Sequence, residues 1–390
     1  MTSPITQFQN AMQCIYGPFE SLSNEQISDW DPPPMAEGHR GRYLWTDGFA
    51  VVNFITLYKE CSDRKYLSLA QRLIHTVHET LGRTRDGTAR LPGATDEYPL
   101  KGGLRIGKHH ATGPDADGQY HHYLTIWMFA LNRMSIAAKD KWYNDQAISL
   151  AKAIHPHFMI NRDSPRPRMF WKMSMDLRSP LVGSEGNLDP IDGYVIFKLL
   201  QKTAGEPVLA QEISEYKKIL DTKWRHYVSE DPLDLGMTLW TAHWFNGVEE
   251  WATTLTNRAF DCLCNSDPLA LLSLDILFEE DRYFESRLRY RLAFREFGTC
   301  MGIGCYDRGE EWSQRAERIM SAWQKRNLMT STSEQLQAIT MVMFASALIP
   351  GGKGDSCDTN LMSSVPKRVS GRLGGVGIRG WIFSGRNWIG

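Results

Sequence analysis

The chain reads as an all-α protein, a single (α/α)6 toroid of six helical hairpins. Three observations predict this class. Apolar residues recur at spacings of three and four in successive segments. The segments come in pairs joined by short connections, which makes each pair antiparallel neighbours. Period-2 alternation, the mark of half-buried strands, is nearly missing.

The first pair shows the pattern most plainly. Phe49, Val52, Asn53, Leu57 and Tyr58 follow Asp47 at helical spacing, and Leu69, Leu73, Val77 and Leu81 form one stripe of the next segment. Cys61-Ser-Asp-Arg joins the two. Residues 119–138 then pair with 141–158, residues 192–203 with 210–227, and residues 235–245 with 251–264. A long segment over 269–301 contains a break, and its second half pairs with 311–324. The sixth hairpin has one clear member, 333–348, with Thr332 or Ser333 as its cap; residues 3–16 are the candidate to close the ring. The stretch from Arg168 to Ser174 is the clearest β-prone segment and reads as a small ribbon. The expected organisation is an N-terminal segment (1–40) packed on the toroid, the toroid itself (41–350), and an irregular tail (351–390).

Composition narrows the function. Hydrophobic residues make up 42% and charged residues 23%, and the net charge is -1. Such a balance gives no field toward nucleic acid or an anionic membrane. No run approaches the about 20 apolar residues of a transmembrane helix, and the first 25 residues lack a signal-peptide pattern. The seven cysteines are scattered and odd in number; Cys262/Cys264 and Cys300/Cys305 lack zinc-site spacing. The expectation is a cytosolic protein with free thiols and no metal or cofactor. No phosphate loop, dinucleotide fingerprint or nucleophile elbow is present. The acidic run Asp275, Glu279, Glu280 and Asp281 reads as a solvated helix face, since no second magnesium-binding motif accompanies it.

Several first helices open with an acidic residue beside glycine or an aromatic: Trp45-Thr-Asp-Gly-Phe, Asp115-Ala-Asp-Gly-Gln-Tyr, Asp189-Pro-Ile-Asp-Gly-Tyr and Asp234-Leu-Gly-Met. Helix capping is the plain explanation. In a toroid, however, the starts of the inner helices converge, so Asp47, Asp117, Asp192 and Asp234 would ring one mouth. The longest connections, 82–118 and 159–192, would cover the same mouth, as binding loops do.

Asp117 and His121 are the first catalytic candidates, followed by Asp47 and Asp192. Paired carboxylates suit glycoside hydrolysis, which needs an acid and a base or nucleophile about 5–10 Å apart. His121 lies four residues after Asp117, one turn along a helix, and a histidine suits proton transfer. Of the adjacent His121 and His122, at most one faces the cavity. Asp189 and His122 are candidate binding residues. Arg105 and Lys108, in the first long loop with His109 and His110, suit an anionic group. Trp45, Trp127, Trp171, Trp240 and Trp244, with His243, suit a flat or sugar-like ligand face. Each of these aromatic residues has core packing as its plain alternative.

The motifs Arg42-Tyr-Leu-Trp-Thr-Asp-Gly-Phe, Gly102-Gly-Leu-Arg-Ile-Gly-Lys, Asp117-Gly-Gln-Tyr-His-His-Tyr-Leu and Phe170-Trp-Lys-Met-Ser-Met-Asp-Leu resemble the six-hairpin glycosidase superfamily, in particular a glycosidase-like branch found in microbes. The resemblance departs at Leu188, where that branch carries histidine. It implies the toroid fold and a hydrolase, lyase or epimerase chemistry. The expected function is therefore an enzyme working on a small organic molecule in a central funnel, glycoside hydrolase-like or a lyase. Two alternatives stand beside it. One is a repurposed scaffold catalysing cyclisation or a pericyclic, Diels–Alder-type step in secondary metabolism, and the other is a binding protein without catalysis. The oligomeric state is not legible.

Overall fold

The computed structural model describes residues 3–33, 42–113, 115–264, 291–326 and 332–351. Six inner helices form the ring. They are α3 (Leu44–Cys61), α5 (His121–Ala138), α7 (Asp189–Ala204), α9 (Pro232–Ala242), α11 (Ala293–Gly304) and α13 (Glu334–Leu348). Each packs against the next, and α13 returns to α3. Outside them lie α4 (Lys65–Leu81), α6 (Lys141–Phe158), α8 (Ala210–Lys223), α10 (Glu250–Cys264) and α12 (Glu310–Lys325). The sixth outer helix is α1 (Pro4–Tyr16), which packs on α13. A short α2 (Asn24–Ser28) lies against α4. The expected toroid is thus the observed one, and residues 3–16 do close it. The first half of the 269–301 segment, with its acidic run, and the tail beyond 351 lie outside the described residues.

Layer position follows from side-chain pattern. Among the inner helices, α3 is buried without interruption from Leu44 to Leu57 and α5 from His121 to Asn132. The outer helices are amphipathic: α4 buries Leu69, Ala70, Leu73, Ile74, Val77 and Leu81 along one stripe. The α9–α11 contact is made backbone to backbone. A Cβ on Gly236 would stand 2.2 Å from the Gly298 carbonyl oxygen, so only glycine lets the two helices approach this closely. The ring is sealed by Asn53 of α3, whose Nδ2 donates to the Val342 carbonyl of α13 at 3.1 Å. The Ser346 hydroxyl donates back to Asn53 Oδ1 at 2.9 Å.

Two small ribbons cover one end of the ring. β1 (Gln119–Tyr120) pairs antiparallel with β4 (Lys172–Met173), joining the two long loops, and β2 (Met159–Ile160) pairs with β3 (Arg168–Met169). The expected ribbon over 168–174 is therefore two half-ribbons, each with a partner from elsewhere. Gln119 ties the loops further. Its amide accepts from the Leu104 N–H and donates to the Gly102 and Met175 carbonyls. Gly103, at φ 77°, gives it room, because a Cβ there would fall 1.8 Å from the Gln119 amide oxygen.

Candidate active site at the inner-helix mouth

The starts of four inner helices meet around one small cavity. Trp45 of α3, His122 of α5, Asp192 of α7 and Asp234 and Met237 of α9 line it, with Leu188 and Leu233. Its volume is about 20 Å³, room for a water or the tip of a larger ligand. The polar groups on this wall are two carboxyls and an imidazole.

Both carboxyls are displaced upward. Asp192 is held well above the usual carboxylate range, first by burial and then by the charges of Asp189 and Asp234. The Thr241 hydroxyl donates to its Oδ1 at 2.7 Å, which only partly offsets this. Asp234 is pushed up to about 6, again chiefly by burial. Its Oδ2 accepts from Asn187 Nδ2 at 2.8 Å and from the Tyr227 hydroxyl at 3.0 Å. Its Oδ1 is buried and has no hydrogen-bond partner among the described residues. A carboxyl with one oxygen held and the other unsatisfied is oriented to meet a ligand. The pair is therefore split: burial holds Asp192 well above the usual carboxylate range, whereas Asp234, at about 6, is mostly ionised at neutral pH.

The histidines share a third carboxylate. Asp189 Oδ1 lies 3.4 Å from His121 Nδ1 and 3.5 Å from His122 Nδ1. These distances make ion-pair contacts rather than well-aligned hydrogen bonds. Burial alone would raise Asp189, yet the two rings outweigh it and hold the carboxyl well below the usual range. His121 Nε2 lies 2.6 Å from the Tyr216 hydroxyl, a hydrogen bond that holds its ring toward α8. Trp45 meets the His122 ring edge-on at 5.7 Å, and Tyr120 stacks on it at 5.4 Å.

Other expected site residues are placed elsewhere. Asp117 is not one turn below His121, because α5 begins at His121 and Asp117 precedes it in the loop. Its carboxylate is consumed there by Arg105 at 2.6 Å, Arg85 at 3.4 Å and the N–H groups of Gly107, Lys108 and Gly118. Arg105 is equally committed, since its remaining donors go to the Arg83 and Thr80 carbonyls. Asp47 turns outward to Arg42 at 3.1 Å and to the Tyr16 hydroxyl of α1 at 2.7 Å. His121 faces α8 through Tyr216, so His122 is the histidine on the cavity. Lys108 pairs with Asp115 beyond Tyr120. Trp127 is a core residue whose indole N–H donates to His78 of the outer layer. Trp171 packs against both Tyr120 and His122, at 5.2 and 6.2 Å, and its indole N–H donates to Ser184. Trp240 packs on Phe49 and Phe129, roughly 9 Å further along α9 than Asp234 at 1.5 Å per residue. The rings of His243 and Trp244 meet at a tilt, 4.6 Å apart, just past the end of α9.

Capping does not explain the acidic residues at the helix starts. The caps of α3, α5 and α7 are Tyr43, Tyr120 and Leu188. In α9 the cap is Asp231, which accepts from the Leu233 and Asp234 N–H groups. Asp234 belongs with Asp192 as a lead candidate, and a sequence signal for it exists. Asp189-Pro-Ile-Asp192 and Asp231-Pro-Leu-Asp234 share one spacing on consecutive inner helices, and in both the second Asp reaches the cavity. Among the described residues no group of three or more His, Cys, Asp or Glu side chains is placed to hold a metal ion. None of the described helices is long and apolar enough to cross a membrane.

Known structures share this architecture. The chain is similar to a D-mannose isomerase, at 10% identity over 88% of this chain and 97% of that one, with a TM-score of 0.52. It is also similar to a family 76 glycoside hydrolase from a bovine Bacteroides thetaiotaomicron strain, at 13% identity, 89% and 78% coverage and a TM-score of 0.54. The shared fold is the (α/α)6 toroid. At such identities the likeness is one of fold. No family model matches the sequence, and neither does any curated protein.

Proposed function

We propose that the chain is a glycosidase-like enzyme that works on a sugar at the inner-helix mouth, with Asp192 as general acid and Asp234 as base or nucleophile. The observation that carries this is the split carboxyl pair on one cavity wall. Burial favours the neutral form of Asp192, and Asp234 is ionised above about 6 with one oxygen unsatisfied. Hydrolysis uses such a pair directly: the acid protonates the leaving oxygen while the carboxylate attacks or activates water. Isomerisation of a sugar uses the same two roles, with a proton removed beside a carbonyl that the acid polarises. His122, on the cavity wall beside Asp189, serves as an auxiliary proton-transfer or hydrogen-bonding group. The fold supports a sugar substrate, since both similar structures carry names of sugar enzymes.

The test is turnover on mannose and on manno-oligosaccharides. Asp192→Asn and Asp234→Asn should each lower kcat by about a hundredfold or more, and the wild-type pH profile should be bell-shaped with its acid limb near 6. Wild-type-like turnover by both variants would overturn the assignment. The apolar part of the wall, Trp45, Leu188, Leu233 and Met237, favours one second reading, cyclisation of an apolar substrate. In that case Trp45→Ala should cost more than either Asp change, and the rate should be flat with pH.

A further inference from the structure

Beyond Tyr120, on the rim of the same mouth, the loops gather positive charge into a buried place. Lys108 is 5% exposed and Lys172 is 3% exposed. Both ammonium groups stand against the Tyr120 ring, at 5.5 and 5.0 Å from its centre. They are close enough for Lys108 to lower the affinity of Lys172 for its proton, after burial itself. Arg105 and Arg85 lie behind them on Asp117. The acids that act on Lys172 are Asp115 and Asp117. Asp117 is already saturated by two arginines and three N–H groups. Two lysines are thus buried side by side against one ring, and like charges taken out of water together are held only at a cost.

Asp115 differs from the rest of this group. Its side chain is 43% exposed, whereas that of its partner Lys108 is 6% exposed. The carboxylate therefore reaches down from the solvent side onto a buried ammonium, and it lies where an incoming anion would lie. The patch is also near the chemistry. Lys172 Nζ is 5.0 Å from the Tyr120 ring, and that ring is 5.4 Å from His122. Laid end to end, these put the ammonium no more than about 10 Å from the cavity-lining imidazole.

We infer that Lys108 and Lys172 form a subsite for an acidic group, with the Asp115 carboxylate as its resident stand-in, so that the substrate is a sugar bearing a carboxylate or a phosphate. Arg105, the other basic residue of this loop expected to bind an anion, instead builds the loop that carries Lys108. The inference rests on the reading of the mouth as a sugar site, and it names the substrate class.

Calorimetric titration of the full chain with D-glucuronate, D-glucose 6-phosphate and D-glucose tests it. At least one acid should bind tenfold or more tightly than D-glucose, and preference between the two acids tells carboxylate from phosphate. Lys108→Gln and Lys172→Gln should each remove that preference, and Lys172→Arg should keep it. Asp115→Asn should tighten the acid several-fold, an effect that a merely structural lysine pair does not produce. Equal binding of all three sugars, absence of binding by both acids, or an acid preference unchanged in both Gln variants would overturn the inference. Asp234→Asn separates the two readings. Turnover lost with no acid preference in the wild type removes only this subsite, whereas acid preference with full turnover in Asp234→Asn removes only the acid–base assignment.

Discussion

Asp234→Asn should make the protein more stable and less active, and the gain in stability should depend on pH. The folded state holds this carboxyl at about 6, against an ordinary value of 3.8. At 1.36 kcal/mol per pH unit, that difference places about 3 kcal/mol against the ionised folded state. The sign follows from which state binds more protons. Below about pH 4 the group is protonated both folded and unfolded, and it contributes nothing. Between about 4 and 6 the unfolded chain loses its proton first, so stability falls as pH rises. Above about 6 the loss is complete. Asparagine removes the titration while keeping an oxygen for the Asn187 and Tyr227 donors, so the hydrogen bonds at Oδ2 survive. Denaturant unfolding of wild type and variant at intervals from pH 4 to 8 reads the effect, because titrating groups that do not sense Asp234 cancel in the difference. The two should coincide near pH 4, and the variant should lead by about 1–3 kcal/mol at pH 7.5, allowing for imperfect replacement. A stability difference that stays constant across this range would refute the reasoning, whatever its size.

Three further expectations concern the scaffold. Arg105→Met strands Asp117 beside a single remaining arginine, and it should destabilise the chain by about 3–5 kcal/mol, seen as a lower denaturant midpoint. Asn53→Ala removes the two hydrogen bonds that seal α13 to α3; it should cost about 1–3 kcal/mol in the same assay. Gly236→Ala pushes a methyl into the α11 backbone at Gly298. Helices cannot yield as a side chain does, so a loss of about 1–3 kcal/mol should appear as a lower thermal midpoint.

The ring was legible in the sequence because layer position writes itself into pattern. A stripe, as in α4, marks an outer helix, and an apolar surface on all sides, as in α3 and α5, marks an inner one. The convergence of helix starts was legible for the same reason. The direction of each acidic side chain was not. A position in the first turn fixes height on the helix but not the angle around it, and the angle here is set by distant partners. Asp47 is turned outward by Arg42 and Tyr16, and Asp117 is captured by Arg85 and Arg105 of a loop that has no periodicity to read. Asp192 and Asp234 have no such basic partner, so they keep to the cavity. The choice between His121 and His122 likewise depended on Tyr216, 95 residues from His121, which claims the first and leaves the second on the wall.

The closing of the circle by α1 and α13 has a consequence for how the protein is made. Helix α1 leaves the ribosome before the rest of the ring, but the helix it packs on is the last of the ring to be synthesised. Until residue 348 has emerged, the faces of α3 and α1 that α13 covers stay open, and the growing chain is an open arc with apolar margins. Nascent arcs of this kind are the species that chaperones shield. The sealing bonds of Asn53 span 289 and 293 residues of sequence, so closing the ring needs contacts between distant parts of the chain, and topologies of that sort are slow to complete.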